Sequence, residues 1–280
     1  MKENRFNKNW VVRFQEQLNC VSQIIKDTAD IEILPFFNQP KSFQKFTKAS
    51  GEIVTNIDVN AERRLTASLL SLLSGSEVIG EEAASENALI YDVLKDDKPV
   101  WIIDPLDGTR NFTNGKNCFA IIVALCLGGE TLAGWIYDPI NVKMYSAYKG
   151  VGASINGKSL KIKECLELSN MIGSTGKNFS KILEKNAGKL GIPKRCDRYK
   201  CIGREYGDLA TGILTFAEYS VLKPWDHAAG ILIHSEAGGY AAFLSDKSSY
   251  FPVPPINKTL LVAQNEKVWR ELFGILNLEN

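Results

Sequence analysis

The sequence has no apolar run long enough to cross a membrane. The longest, Phe119 to Leu127, falls well short of the ~20 residues that a spanning helix needs. The N-terminal stretch Met1-Lys2-Glu3-Asn4-Arg5-Phe6-Asn7 lacks the apolar region of a secretory signal, so a cytoplasmic location is expected. Soft metal ligands are also scarce. Two histidines (His227 and His234) and six scattered cysteines without C-x-x-C spacing argue against zinc, and the cysteines are expected to be reduced core thiols. Charge of one sign is missing too. Thirty-three Lys plus Arg against 32 Asp plus Glu leave +1, so no global field draws a nucleic-acid polymer or an anionic membrane. With no internal repeat, low-complexity tract or linker, a single domain over 1–280 is expected, with a subdivision near 150 as the alternative.

What is present is an ordinary globular composition, 45% apolar and 10% aromatic over 280 residues. A chain of that length buries roughly 75% of its unfolded surface. Val11, Phe14, Leu18, Val21 and Ile25 recur at three- and four-residue steps and predict an N-terminal helix with one apolar stripe. Leu65, Leu69, Leu72 and Leu73 predict a second helix, capped by Asp58 and ending near Gly75. Short β-like runs follow at Val100–Ile103, Phe119–Cys126, Thr131–Tyr137 and Lys143–Ala147, with Gly128-Gly129-Glu130 as a hairpin link. Their short connections predict antiparallel pairing. A helix capped by Asp226 runs to Ala237 and stops at Gly238-Gly239, and Leu260–Ala263 reads as a buried strand. Helices layered on sheets, an α+β arrangement, are the expectation.

Chemistry concentrates in Trp101-Ile102-Ile103-Asp104-Pro105-Leu106-Asp107-Gly108-Thr109. Pro105 is expected to end the apolar strand, so that Asp104 and Asp107 emerge together at its tip. Two carboxylates so close raise each other's pKa unless a cation lies between them, and hard divalent ions prefer such oxygens. Gly108 permits close backbone approach, and Thr109 adds a hydroxyl at the start of a short helix whose amides suit a phosphate. Taken alone, the same residues also make an ordinary Pro-Asp-Gly turn.

Three further acidic segments accompany it: Thr55-Asn56-Ile57-Asp58, Gly80-Glu81-Glu82 and Lys223-Pro224-Trp225-Asp226. In order and spacing the four resemble the inositol monophosphatase family of metal-dependent phosphatases. The likeness extends to Gly134-Trp135-Ile136-Tyr137-Asp138-Pro139, to Gly150-Val151-Gly152-Ala153 with Asn156-Gly157, and to Glu236-Ala237-Gly238-Gly239, across roughly residues 48 to 263. The resemblance implies a layered αβαβα sandwich of the inositol monophosphatase and fructose bisphosphatase type. It also implies a homodimer and two or three Mg²⁺ ions acting on a small phosphorylated metabolite. Glu81, Asp104 and the Leu106 carbonyl would hold one ion, and Asp104, Asp107 and Asp226 another. Asp58, Glu81 and Thr109 would activate water, while the Gly108 and Thr109 amides would bind phosphate.

Each residue also has a plainer reading. Asp58 and Asp226 can be simple helix caps, Glu62 and Glu82 solvated charges, His227 a core histidine or a support behind the ligands, and Trp225 packing.

The substrate side departs from the family. Gly203-Arg204-Glu205-Tyr206-Gly207-Asp208 puts Arg204 and Glu205, expected with Gly108, Thr109 and Asp226 to bind substrate, where small residues are usual. Glu218, the counterpart of a ring-contacting Glu, stands one position too far from Asp226, with Tyr219 in its place. Lys194, Arg195, Arg198, Lys200 and Arg204 form a basic cluster that could meet a second phosphate, or simply a solvated loop. Hydrolysis of an inositol-type monophosphate is the first expectation. The alternatives are nucleotide 3′(2′),5′-bisphosphate, fructose 1,6-bisphosphate or histidinol phosphate hydrolysis, or a partner-binding protein on the same scaffold.

Overall fold

The computed structural model describes residues 17–95, 98–165, 167–186, 193–254 and 256–276. Its centre is a seven-stranded sheet in the order β3-β4-β5-β6-β7-β8-β9. The strands are β3 (Glu77–Gly80), β4 (Val100–Asp107), β5 (Ala120–Leu127), β6 (Glu130–Asp138), β7 (Lys143–Tyr148), β8 (Gly152–Ile155) and β9 (Lys158–Leu160). β3 and β4 are parallel and every other neighbouring pair is antiparallel, as the short connections require. The β5–β6 hairpin turns on Gly128-Gly129, as expected.

Alternation along β4 sorts its side chains onto two cores. Trp101 and Ile103 face helices α1 (Val21–Thr28) and α2 (Asn56–Leu72), meeting Val21, Ile25, Ala61 and Leu65. Val100 and Ile102 face the other way, toward α6 (Ile202–Thr211) and α7 (Pro224–Glu236). The remaining face of α6 and α7 packs on a second sheet, β11-β10-β12-β14-β13. That sheet consists of β10 (Ile172–Ser174), β11 (Lys194–Cys196), β12 (Phe216–Tyr219), β13 (Tyr240–Phe243) and β14 (Leu260–Ala263). Its outer face carries α5 (Lys177–Asn186) and α8 (Glu266–Leu276) through Phe179, Leu183, Leu261, Trp269 and Leu272. The layers run αβαβα.

Several local expectations are corrected. Thr55, not Asp58, caps α2: its hydroxyl accepts from Ile57 N–H, while Asp58, the third helical residue, accepts from Thr55 N–H to close a capping box. Asp226 is likewise the third residue of α7, behind Lys223 at the cap and Pro224 at the first position. Pro105 does not end β4. The strand absorbs it in a bulge, since Asp104 pairs with Ile122 and Asp107 with Ala120, three steps against two. The thiols are all free, but only Cys126 and Cys201 are buried, and Cys20 is exposed. Val11 and Phe14 lie outside the described residues. Among the described residues no helix is long and apolar enough to cross a membrane.

Candidate active site

The bulge in β4 is what gathers the acids. By consuming one extra residue it brings Asp104 and Asp107 to the same end of the strand, both buried. With Asp226, from the first turn of α7, they offer oxygens that all lie within 4.8 Å of one another. Asp104 Oδ1 accepts Leu106 N–H at 3.0 Å, while Asp107 Oδ2 accepts Gly203 N–H at 2.6 Å and the Cys201 thiol at 3.1 Å. The oxygens without these partners remain available to a ligand.

β4 continues through Gly108 into the short helix α4 (Thr109–Thr113). Gly108 is left-handed at φ 89°, and a Cβ there would stand 2.9 Å from the Cys118 carbonyl, so glycine is required twice over. The turn aims Thr109 Oγ1 at Asp58 Oδ1 and at the Leu106 carbonyl, both at 2.9 Å. Asp58 is fixed in return, its Oδ2 accepting from Thr55 N–H at 2.7 Å and from the Thr55 hydroxyl at 2.5 Å.

Glu81 begins α3 (Glu81–Glu86), and its placement depends on two residues that the sequence suggests are solvated. Glu62 is buried and accepts from the Glu82 and Ala83 amides at 2.8 and 3.0 Å, supplying the cap that Gly80 lacks. Gly80 leaves the space for it, since a Cβ there would sit 2.2 Å from the Glu62 carboxyl carbon. Glu82 joins Glu81 in holding the Lys48 ammonium, at 2.9 and 3.1 Å. Lys48 belongs to a hairpin of β1 (Lys45–Thr47) and β2 (Ile53–Thr55) that ordinary periodicity does not reveal. Glu52 in the same hairpin pairs with Lys223, three residues before Asp226.

Electrostatics mark the cluster as built for cations. Burial, followed by the charges of Glu81, Asp107 and Asp226, raises Asp104 well above the ordinary carboxylate range. Burial and then Glu81 and Asp107 do the same to Asp226. Burial lifts Asp58 and Asp107 each to about 6, against the hydrogen bonds that favour their ionised forms. It lifts Glu82 to about 8, with Glu81 adding to the effect. For Lys48, burial opposes the charge, yet Glu81 and Glu82 hold it above the ordinary lysine value. Buried carboxylates at this spacing demand a counter-charge, and an all-oxygen donor set suits a hard divalent ion such as Mg²⁺.

A cavity of about 230 Å³ opens over these groups, with Glu81, Asp104, Leu106, Asp107, Gly108, Thr109 and Asp226 in its lining. Asp58 lies behind Thr109. Arg204 and Glu205 are not in that lining. Arg204 pairs with Asp138 at 2.9 Å and Asp208 at 3.4 Å. Glu205 is fully buried, accepting from Tyr199 N–H and Tyr219 Oη and pairing with Arg198. Glu218 also pairs with Arg198 and accepts Gly176 N–H. His227 is a core residue, bonded to Tyr206 Oη and to the Val221 carbonyl. Trp225 is buried and stacks on Tyr91 at the wall of an adjoining cavity of about 580 Å³.

The chain matches the family model described as the inositol monophosphatase family over residues 15–275. It is 30% identical over 235 residues to a fructose-1,6-bisphosphatase/inositol-1-monophosphatase of Aquifex aeolicus, covering 76% of this chain and 80% of that one. A Nus factor SuhB of Pasteurella multocida is 29% identical over 245 residues, covering 85% and 87%. In fold, the chain superposes with a TM-score of 0.77 on an IMPase/NADP phosphatase solved with Mg²⁺ and phosphate, at 21% identity, over 94% of this chain and 97% of that one.

Proposed function

The chain belongs to the inositol monophosphatase family, and from that premise and its acidic cavity we propose that it is a Mg²⁺-dependent phosphomonoesterase. The observation that carries the reading is the junction of Asp104, Asp107 and Asp226 with the Thr109–Asp58 hydrogen bond in one place. Glu81, Asp104 and the Leu106 carbonyl would hold one ion, and Asp104, Asp107 and Asp226 a second. Bound Mg²⁺ would supply Lewis-acid polarisation of the phosphoryl group and neutralise the carboxylates.

The chain's own residues supply the rest. While the Thr109 hydroxyl donates to Asp58, its lone pairs are free to accept a proton from water. Asp58, whose Oδ1 accepts from the Thr109 hydroxyl at 2.9 Å, would then receive the Thr109 proton. The Thr55 amide and hydroxyl prevent Asp58 from turning away. Glu81 is held at the cavity edge by the Glu62-capped helix, where it would orient the same water. The Gly108 and Thr109 amides would receive the phosphate. A single domain acting in the cytoplasm as a homodimer is part of the proposal.

Phosphate release from inositol, sugar, nucleotide and amino-alcohol phosphates, with Mg²⁺ and with EDTA, tests the reading. Release that requires Mg²⁺ supports it. A second reading, a partner-binding protein on this scaffold, draws on the relative named Nus factor SuhB. Folded protein that binds Mg²⁺ and hydrolyses nothing in the panel would favour that one.

A further inference from the structure

The cations expected in and just before α6 to meet a second phosphate are mostly committed elsewhere. Arg204 is held between Asp138 and Asp208, Arg195 pairs with Asp197, and Arg198 is bound by Glu205 and Glu218 while lying 5.0 Å over the Tyr219 ring. The same pairings remove Glu205 and Glu218 as partners for the hydroxyls of a neutral polyol. Two cations at the metal cavity are differently placed. Arg110 and Lys200 both line it, both are exposed, and neither makes an ion pair with a described residue. Lys223, the third cation in the lining, is tied to Glu52.

Lys200 is held there at a cost. Its φ of 56° is left-handed, a conformation that side chains other than Asn, Asp and Gly rarely adopt and that clusters at functional sites. A single buried side chain spans this turn: Asn111 Nδ2 donates to the carbonyls of Tyr199 and Lys200 at 2.8 and 3.2 Å, and to that of Cys118 at 2.9 Å. Asn111 directly follows Arg110 in α4, so one amide locks the two cation-bearing segments together. Two residues beyond Lys200, the segment returns to the cavity wall at Ile202, and Gly203 N–H then grips Asp107. The backbone segments that carry both charges are therefore tied to the acidic cluster through short connections.

We infer that Arg110 and Lys200 form a receptor for a second anionic group on the substrate. The preferred substrate is thus a phosphomonoester whose leaving group itself carries a phosphate, rather than a neutral polyol phosphate. A guanidinium and an ammonium on opposite segments suit a phosphate dianion, the first through paired N–H donors and the second as a point charge. This inference rests on the phosphatase reading for its direction, but the binding it describes is measurable without turnover.

Kinetics with fructose 1,6-bisphosphate, adenosine 3′,5′-bisphosphate and myo-inositol 1-phosphate should be compared in the native protein, Arg110→Gln, Lys200→Gln and Lys200→Gly. The native protein should favour one of the bisphosphates. Which one it favours separates a sugar from a nucleotide leaving group. Each variant should raise KM for that substrate about tenfold and leave myo-inositol 1-phosphate within about twofold. Lys200→Gly relaxes the backbone and so should melt no lower than the native protein while losing the same selectivity, which separates charge from folding. Calorimetric binding of the two bisphosphates to Asp58→Asn protein in Mg²⁺ gives the readout without turnover. Binding weakened by Arg110→Gln and Lys200→Gln in that background supports the receptor even if the native protein hydrolyses nothing, an outcome that would count against the phosphatase reading alone. Hydrolysis in which the variants affect all three substrates equally, native preference for myo-inositol 1-phosphate, or no binding of either bisphosphate would overturn the receptor.

Discussion

Replacing Asp107 by Asn in metal-free protein should stabilise it, although the aspartate is a proposed ligand. Asp107 is buried, and burial lifts its carboxyl from the ordinary 3.8 to about 6. A carboxyl raised in the fold leaves stability intact below pH ~4 and loses it as pH rises through about 6, because the folded state must then carry a charge that the unfolded chain carries more easily. At about 1.4 kcal/mol per pH unit, the loss above pH 7 is about 3 kcal/mol. Asparagine keeps an acceptor for Gly203 N–H and removes the charge. With an unfolding entropy of ~2 cal/mol/K per residue, that is a rise in Tm of about 5 °C for a chain of this size. The assay is thermal unfolding of both proteins in EDTA at pH 4 and pH 8, repeated in excess Mg²⁺. The variant should melt higher at pH 8 in EDTA, no higher at pH 4, and lower than the native protein once Mg²⁺ is added. Equal or lower melting at pH 8 in EDTA would refute the claim that the cluster holds an uncompensated charge.

Lys48→Met should cost about 3 kcal/mol in EDTA by leaving Glu81 and Glu82 side by side without their cation, and less in Mg²⁺; equal losses by urea unfolding in both conditions would show that no metal reaches Glu81. Glu62→Ala removes the acceptor for two amides at the start of α3 and should cost about 2 kcal/mol, with Mg²⁺ affinity falling in calorimetry because Glu81 loses its support; unchanged affinity would separate the cap from the site. His234 is buried with Nε2 on the Ala263 carbonyl, and burial lowers it from 6.5 to about 4. Its contribution is complete above pH 6.5 and lost as pH falls through about 4, at most about 3 kcal/mol, so His234→Asn should flatten the acid limb of the stability profile.

How far the sequence alone could lead depended on the range of the interactions concerned. Asp104, Asp107 and Thr109 were legible because a strand, a proline and a glycine lie beside them in the chain. The antiparallel pairing was legible because the connections are short. Asp58 and Asp226 were placed at the right helices but each three residues off as a cap, since Thr55 and Lys223 supply the extended backbone that a cap needs. Glu62, Lys48 and Asn111 carried no local signal. Glu62 looks like any helical surface charge until Gly80 and α3 are packed against it, and Asn111 gains its meaning from carbonyls 88 and 89 residues away. Arg204 and Glu205 drew attention by departing from the family pattern, but their charges are matched by Asp138, Asp208 and Arg198, none of which spacing could identify.

The central proposal is that Asp104 would hold both Mg²⁺ ions of a hydrolytic site, and phosphate release by Asp104→Asn in saturating Mg²⁺ tests it most directly. The account requires Mg²⁺-dependent release by the native protein and a loss of at least about a hundredfold in the variant, with the variant folded and melting no lower than the native protein in EDTA. A folded Asp104→Asn protein that releases phosphate at the native rate would contradict it.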